Sequence, residues 1–129
     1  MTIHITAGDC LKEILEKLYP DETFIPFREA MIQGSYTAKL FSQDFINERA
    51  AVHNVSPALY TENLRPFLEF LTHIRNYDRV VLWFGDEPFC NANKKVVIQT
   101  LKEYGYQGAL LSNTVVEETG EIIKSEALW

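Results

Sequence analysis

The sequence predicts a single three-layer α/β domain spanning residues 1–129: a short, mostly parallel sheet of about four strands with helices on both faces, followed by a C-terminal β-hairpin. Strand-like and helix-like segments alternate in the order β-α-β-(α-α)-β-α-β, which favours right-handed crossovers and parallel strands. The length suits one domain of common size, and the chain could be the N-terminal part of a longer protein. With 47% hydrophobic and 23% charged residues, a folded core is expected.

Hydrophobic periodicity locates the individual elements. Strands show alternating or continuous runs of β-branched and aromatic residues, and helices show apolar side chains at i, i+3, i+4 and i+7. In chain order, the prediction is strand 2–6, helix 9–19, strand 22–27, helix 42–53, a helical stretch from 56, helix 61–76, strand 79–84, helix 88–104, strand 107–112 and hairpin 114–124.

Capping and breaking residues set the ends of the first elements. Asp9 stands where the N-cap of the first helix is expected, and Pro20 ends that helix. The second strand ends near Pro26. The pattern then weakens into a loop until Ser42, which can cap the next helix.

The second half of the chain contains the clearest helix and the strongest strand. The helix at 61–76 has one apolar stripe, and Pro66 is compatible with it only in the first turn. Residues 79–84 form a continuous apolar run, as expected for a strand covered by helices on both faces. Gly105 suits the position just after the following helix, and Thr119-Gly120 suits the turn of the hairpin.

Charge and composition disfavour nucleic acid and membranes as partners. The formal net charge is −6 and the pI is near 5.0, whereas nucleic-acid binding normally needs Lys and Arg to neutralise phosphates. No run approaches the ~20 apolar residues of a membrane span, and the N-terminus lacks the pattern of a signal peptide. We therefore expect a cytoplasmic protein with free thiols at Cys10 and Cys90. The oligomeric state is left open.

Three polar clusters follow predicted strands, at the edge where open α/β sheets bind ligands. They are Gly8-Asp9-Cys10, Arg28-Glu29 and Gly85-Asp86-Glu87. If they meet in the fold, the carboxylates of Asp9, Glu29 and Asp86 could hold Mg²⁺ together with waters and a substrate phosphate. The alternative is that Asp9 and Asp86 serve only as helix N-caps.

Further candidates surround this edge. Arg28 and Arg49 could clamp a phosphate or carboxylate, although Arg49 could instead form a surface ion pair on its helix. Phe89 could stack on a ligand. Cys10 lies in the first helical turn, where the helix dipole favours a thiolate, but a buried bystander thiol is favoured. A hydrolase resembling the GDSL esterases would need a histidine beside this thiol, and His4 is the only nearby one in sequence.

Several short motifs occur together in one order between the N-terminus and about Ser112. They are His4 to Asp9, Phe27 to Ala30 followed by Gly34, Phe45, Arg49-Ala50, Val81 to Asp86, Phe89-Cys90 and Asn93. This set resembles the bacterial domain-of-unknown-function family eighteen-thirty-five. The resemblance implies a bacterial, intracellular protein without an established activity, and it carries the family's polar positions onto His4, Gly8, Asp9, Arg28, Glu29, Arg49, Trp83 and Asp86. Many members have Ser at the position of Cys10, which weakens a mechanism that needs a thiol.

The leading hypothesis is a domain that binds a small ligand bearing phosphate or carboxylate at the carboxyl edge of the sheet. The candidate ligand-binding residues are His4, Gly8, Asp9, Cys10, Arg28, Glu29, Arg49, Trp83, Asp86 and Phe89, although local pattern alone favours packing roles for His4 and Trp83. Whether the domain is catalytic is left open. The alternative is a non-enzymatic protein-interaction module that uses an apolar patch or a sheet edge. Exposure of Tyr36, Phe41 and Trp129 in one patch would favour that alternative.

Overall fold

The computed structural model describes residues 1–129, which form five strands, four α-helices and one 3₁₀ helix. The elements are β1 (Thr2–Thr6), α1 (Asp9–Leu18), β2 (Phe24–Pro26), α2 (Gln43–Val52), α3 (Pro57–Thr72), the 3₁₀ helix (Ile74–Asn76), β3 (Arg79–Phe84), α4 (Pro88–Glu103), β4 (Ala109–Val115) and β5 (Ile122–Ala127). The predicted α/β class is confirmed.

All five strands form one sheet in the order β2-β1-β3-β4-β5. The first four strands are parallel, and β5 runs antiparallel to β4. The chain moves from β1 to β2 on one side and then returns to β3 on the other side of β1. Strand order therefore reverses next to β1, which is the position where ligands bind in sheets of this topology.

Side chains alternate between two cores because successive residues of a strand point to opposite faces. On β3, Leu82 and Phe84 belong to the larger core, which they share with α2, α3 and α4. Val81 and Trp83 belong to a smaller core beneath α1. One helix thus covers one face and three helices cover the other, which confirms the three-layer arrangement.

The C-terminal hairpin differs from the prediction. The expected fourth strand and the first arm of the expected hairpin are one strand, β4, and β5 returns directly along it. The connecting turn includes Gly120, which has a φ of 76° and packs against Leu15 and Leu18 of α1. Gly105 also has a positive φ, of 72°, directly after Tyr104, the C-cap residue of α4. Its predicted position is confirmed.

Pro66 lies in the interior of α3 because this helix begins at Pro57 rather than near Thr61, so its predicted place in the first turn is wrong. A proline at this position cannot donate to the carbonyl four residues earlier. The neighbouring carbonyl of Asn63 accepts a hydrogen bond from Arg28 Nη1 at 3.3 Å. The second turn of α3 offers this backbone acceptor to the carboxyl edge of the sheet.

The longest α-helices, α3 and α4, have 16 residues each and fall short of the apolar length that a membrane crossing requires.

Candidate functional site

A cavity of about 540 Å³ lies where the ends of β1 and β2 meet the start of α4. Its walls come from the β1–α1 turn, the irregular segment after β2, the end of α2 and the first turns of α3 and α4. Five of the ten candidate residues line it: Gly8, Asp9, Arg28, Glu29 and Phe89. The segments after β1 and β2 meet at this cavity, whereas the segment after β3 contributes only Phe89 at the start of α4.

An exposed ion pair stands at this rim. Arg28 donates to Asp9 through Nε, 3.0 Å from Oδ2, and through Nη2, 2.9 Å from Oδ1. The side chains of Arg28 and Asp9 are 40% and 54% exposed. The hydrogen bonds from Arg28 lower the pKa of Asp9, and the pKa of Arg28 is raised in return. The Arg28 guanidinium also donates to the Asn63 carbonyl, so it connects α1 to α3.

The N-terminus of α1 opens onto the same rim without a side-chain cap. Gly8 is the N-cap residue and Asp9 is the first helical residue, so the N-cap interpretation of Asp9 is wrong. The Asp9 carboxylate turns to Arg28 instead. The first N–H groups of a helix and its dipole together favour an anion. The N-terminus of α1 and Arg28 are therefore the two positive groups at this rim, and the Asp9 carboxylate is the anion that now balances them.

Glu29 begins a buried polar network beneath the rim, and its side chain is 0% exposed. Arg49 donates to both carboxylate oxygens, with Nε 3.0 Å from Oε2 and Nη2 3.1 Å from Oε1. The Tyr60 hydroxyl donates to Oε2 at 2.5 Å, and the Ala30 N–H and His53 Nε2 approach Oε1 at 2.6 and 2.5 Å. Burial alone would raise the pKa of Glu29, but these donors outweigh it and the pKa is lowered.

This network fixes the irregular segment between β2 and α2. Arg49 also donates to the carbonyls of Ser35 and Ala30, at 3.2 and 3.1 Å. Asn93 of α4 accepts from the Met31 N–H at 2.8 Å and donates to the Glu29 carbonyl at 2.7 Å. Of the two predicted roles for Arg49, an anion clamp or a surface ion pair, the structure shows an ion pair, but in the core rather than on the surface. Arg49 does not line the cavity.

Three polar residues of the cavity wall, His53, Tyr60 and Asn63, were missed by the sequence prediction. The His53 ring, 22% exposed, points Nε2 at the Glu29 carboxylate, which requires a proton on that nitrogen. Its other nitrogen, Nδ1, has no partner in the chain, and in the neutral ring it is an acceptor. A carboxylate-oriented imidazole at a cavity wall can accept a hydrogen bond or a proton from a ligand. The only sequence signal for this arrangement is the helical spacing of His53 and Arg49.

His4 and Trp83 lie beneath α1, away from the cavity. Trp83 Nε1–H donates to His4 Nδ1 at 2.9 Å, and His4 Nε2 lies 3.0 Å from Glu22 Oε2. Burial lowers the pKa of His4, against an opposing effect of Glu22. The neutral imidazole, with its proton on Nε2, satisfies both contacts. The packing roles expected from local pattern are what the structure shows for these two residues.

The two thiols are free, as expected, but in opposite environments. Cys10 is exposed, so the buried-thiol interpretation is wrong for it. It lines a second hollow of about 370 Å³ with Glu117 and Glu118, and no histidine contributes to that wall. A thiol hydrolase therefore lacks its base. Cys90 is buried, donates to Glu117 Oε1 at 3.1 Å, and has its pKa raised to about 12, mainly by burial.

The carboxylates proposed for Mg²⁺ do not form a metal site. No three His, Cys, Asp or Glu side chains are grouped to hold an ion. Glu29 is surrounded by donors, Asp9 is held by Arg28, and Asp86 is exposed outside the cavity wall. Asp86 is not a helix cap either, since Glu87 occupies the N-cap of α4. The residues present do not fit the ion, and the Mg²⁺ hypothesis is wrong for this set.

Comparison with known proteins found no match to this chain among protein-family models, curated proteins or solved structures. The resemblance to the domain-of-unknown-function family eighteen-thirty-five stays a prediction.

Proposed function

We propose that this chain binds a small anionic ligand, bearing phosphate or carboxylate, in the cavity at the carboxyl edge of the sheet. The observation that supports this most strongly is the convergence of Arg28 and the uncapped α1 N-terminus on one cavity wall. Both supply positive potential in a chain whose net charge is −6. An anion held there would meet N–H groups and a guanidinium together.

The Asp9 carboxylate occupies the place on Arg28 that a ligand anion would take. The pair is exposed and therefore contributes little to stability. A ligand carboxylate or phosphate can replace Asp9 on the guanidinium at small cost. Asp9 would then act as a competitor for the ligand rather than as a ligand-binding group.

The rest of the wall suits an organic anion better than an inorganic ion. Ligand pockets typically measure roughly 300–1,000 Å³, and about 540 Å³ is available here. Ala7 and Val55, which are partly exposed, provide apolar surface, and Phe89, 43% exposed, can cover a flat group. On the inner wall, His53 Nδ1 offers an acceptor for a hydroxyl or amide of the ligand.

The alternative is a protein-interaction module that uses a patch of exposed aromatic residues, and the patch that would favour it is not formed. Phe41 is only 7% exposed and packs in the larger core, so Tyr36, Phe41 and Trp129 cannot form one exposed patch.

A thermal-shift screen tests the proposal with inorganic phosphate, sugar phosphates, nucleoside monophosphates and dicarboxylates, at constant ionic strength. A ligand at 100 times its dissociation constant stabilises the folded state by about 2.7 kcal/mol. The shift should disappear in Arg28→Ala and persist in Arg65→Ala, a matched control because Arg65 is also exposed and paired with a carboxylate. Asp9→Asn should bind the probe more tightly than the wild type. No shift with any probe, or an equal shift in Arg28→Ala, would contradict the proposal.

A further inference from the structure

Strand β5 forms an open edge of the sheet. It pairs with β4 on one side only, and all six of its residues are exposed. Ile123 is 64% exposed, one of the most exposed large apolar side chains of the chain. An edge strand presents unpaired N–H and C=O groups that can pair with another strand.

The register of β5 on β4 shows which peptide groups face outward. The Leu128 N–H donates to the Leu110 carbonyl at 2.8 Å, and the register continues with Ser112 opposite Glu126 and Thr114 opposite Lys124. Hydrogen-bonded and non-hydrogen-bonded pairs alternate along an antiparallel ladder. Residues 124 and 126 therefore turn their peptide groups toward β4, and residues 125 and 127 turn theirs outward. The register shifts between Thr114 and Val115, so the regular ladder of β5 covers residues 124–127 and does not extend through Ile123.

We propose that β5 pairs antiparallel with β5 of a second copy of this chain, around a twofold axis at Ser125, so that two five-stranded sheets become one. Ser125 then lies opposite the partner's Ser125, and Ile123 lies opposite the partner's Ala127. The Ser125 pair exchanges about two backbone hydrogen bonds, and the outward peptide groups of Ala127 can extend the ladder on either side of the axis. Lys124 lies opposite the partner's Glu126, at non-hydrogen-bonded positions where facing side chains are closest.

Charge complementarity selects this register and this partner. Because only alternate residues face outward, the strands can slip only in steps of two residues between pairings. A slip in one direction places Lys124 opposite the partner's Lys124, and a slip in the other places Glu126 opposite the partner's Glu126. Like charges directly opposite each other are destabilising. Charges usually protect an edge strand from association, but this pair excludes the neighbouring registers and leaves one symmetric pairing.

The opposite edge of the sheet explains why the association would stop at a dimer. That edge is β2, which has three residues and ends in Pro26. Short strands and proline block further pairing. Within one chain, Lys124 Nζ lies 3.7 Å from Glu126 Oε2, and both side chains are exposed, so each can exchange its partner at small cost. A contact through one strand is smaller than a standard interface, so association should depend on concentration.

Charge-swapped variants test the proposal by sedimentation equilibrium of the 129-residue chain. The wild type should dimerise as concentration rises, and Lys124→Glu and Glu126→Lys should each weaken dimerisation by at least about 10-fold, because each places like charges opposite each other. An equimolar mixture of the two variants should form heterodimers, and the double variant should regain the dimer. Lys95→Glu, an exposed change on α4, is the control and should leave dimerisation unchanged.

Cross-linking tests the twofold axis directly. In a Cys10→Ser background, Ser125→Cys should form an intermolecular disulfide under mild oxidation, and Lys124→Cys should not. Circular dichroism checks that each exposed variant remains folded. A wild type that stays monomeric at every concentration would overturn the proposal, as would a dimer that is indifferent to both single charge swaps. This test is independent of ligand binding at the cavity.

Discussion

Replacing Glu29 by Gln is the sharpest test of the buried network beneath the cavity. Both carboxylate oxygens are surrounded by donors: two from Arg49, one from Tyr60, one from His53 and the Ala30 N–H. Gln has almost the same shape but carries no charge, and it places an NH₂ group where a donor already points. The substitution therefore removes the one carboxylate in ion-pair contact with the buried Arg49 guanidinium, whose side chain is 0% exposed.

The expected loss is large compared with the stability of the chain. Breaking a buried ion pair by removing one partner typically costs about 3–5 kcal/mol, because the remaining charge stays buried and uncompensated. At roughly 0.05–0.15 kcal/mol per residue, a domain of this length has a free energy of unfolding of roughly 6–19 kcal/mol. Glu29→Gln should thus remove a substantial part of that stability, although the contacts of Arg49 with the Ser35 and Ala30 carbonyls remain.

Urea unfolding followed by circular dichroism measures this loss. With an m-value of roughly 1–3 kcal/mol/M, a loss of about 4 kcal/mol lowers the urea midpoint by more than about 1 M. Glu62→Gln is the matched control, because it removes the same charge from an exposed pair with Arg65, and its midpoint should not change. If Glu29→Gln shifts the midpoint no more than this control, the carboxylate is not compensating a buried charge, and the account of the network is refuted.

Three further predictions concern the titration or reactivity of Glu29, His4 and the two thiols. The pKa of Glu29 is lowered in the folded state. The stability advantage of the wild type over Glu29→Gln should therefore be complete above the ordinary glutamate pKa of about 4.5 and disappear as the pH falls through the folded pKa. Urea midpoints of both proteins at several pH values measure this difference. The pKa of His4 is lowered, so stability should fall as pH drops below about 6.5, when the unfolded chain takes up a proton that the folded chain does not. Nitrogen NMR should show that proton on Nε2, and Trp83→Phe, which removes a donor to the neutral ring, should raise the His4 pKa. Ellman's reagent should titrate Cys10 in the native protein and Cys90 only after unfolding; two rapidly reacting native thiols would contradict the burial of Cys90.

The fold was predictable because it follows from the spacing of hydrophobic residues within each element and from the order of strands and helices along the chain. The run at Arg79–Phe84 is apolar at almost every position, as a central parallel strand must be, and it does occupy the centre of the sheet. The hairpin was divided wrongly because β4 contains Ser112, Asn113 and Thr114, which resemble a turn in sequence. Their strand pairing depends on β3 and β5, contacts that no local pattern contains.

The position of the candidate site was also predictable, but the roles of its charges were not. Parallel strands end at one edge, so the polar residues after β1 and β2 had to lie together. Burial was the missing information for Arg49. It follows Phe45 at helical spacing on the inner face of α2, beside the buried Ala50, and His53 continues the same stripe. An arginine on an apolar stripe predicts a buried partner, but the stripe does not say that the partner is Glu29, which lies 20 residues earlier in the chain.

The buried network and the exposed rim depend on each other through two adjacent residues. Arg28 and Glu29 point in different directions from the same irregular segment, one to the rim and one to the core. A segment without helix or strand has no backbone ladder to fix its position, so buried side chains must do so. A buried ion pair stabilises a fold weakly compared with apolar packing, but it tolerates few alternative geometries. The charges of Glu29 and Arg49 are therefore better explained by the position they impose on Arg28 than by their contribution to stability.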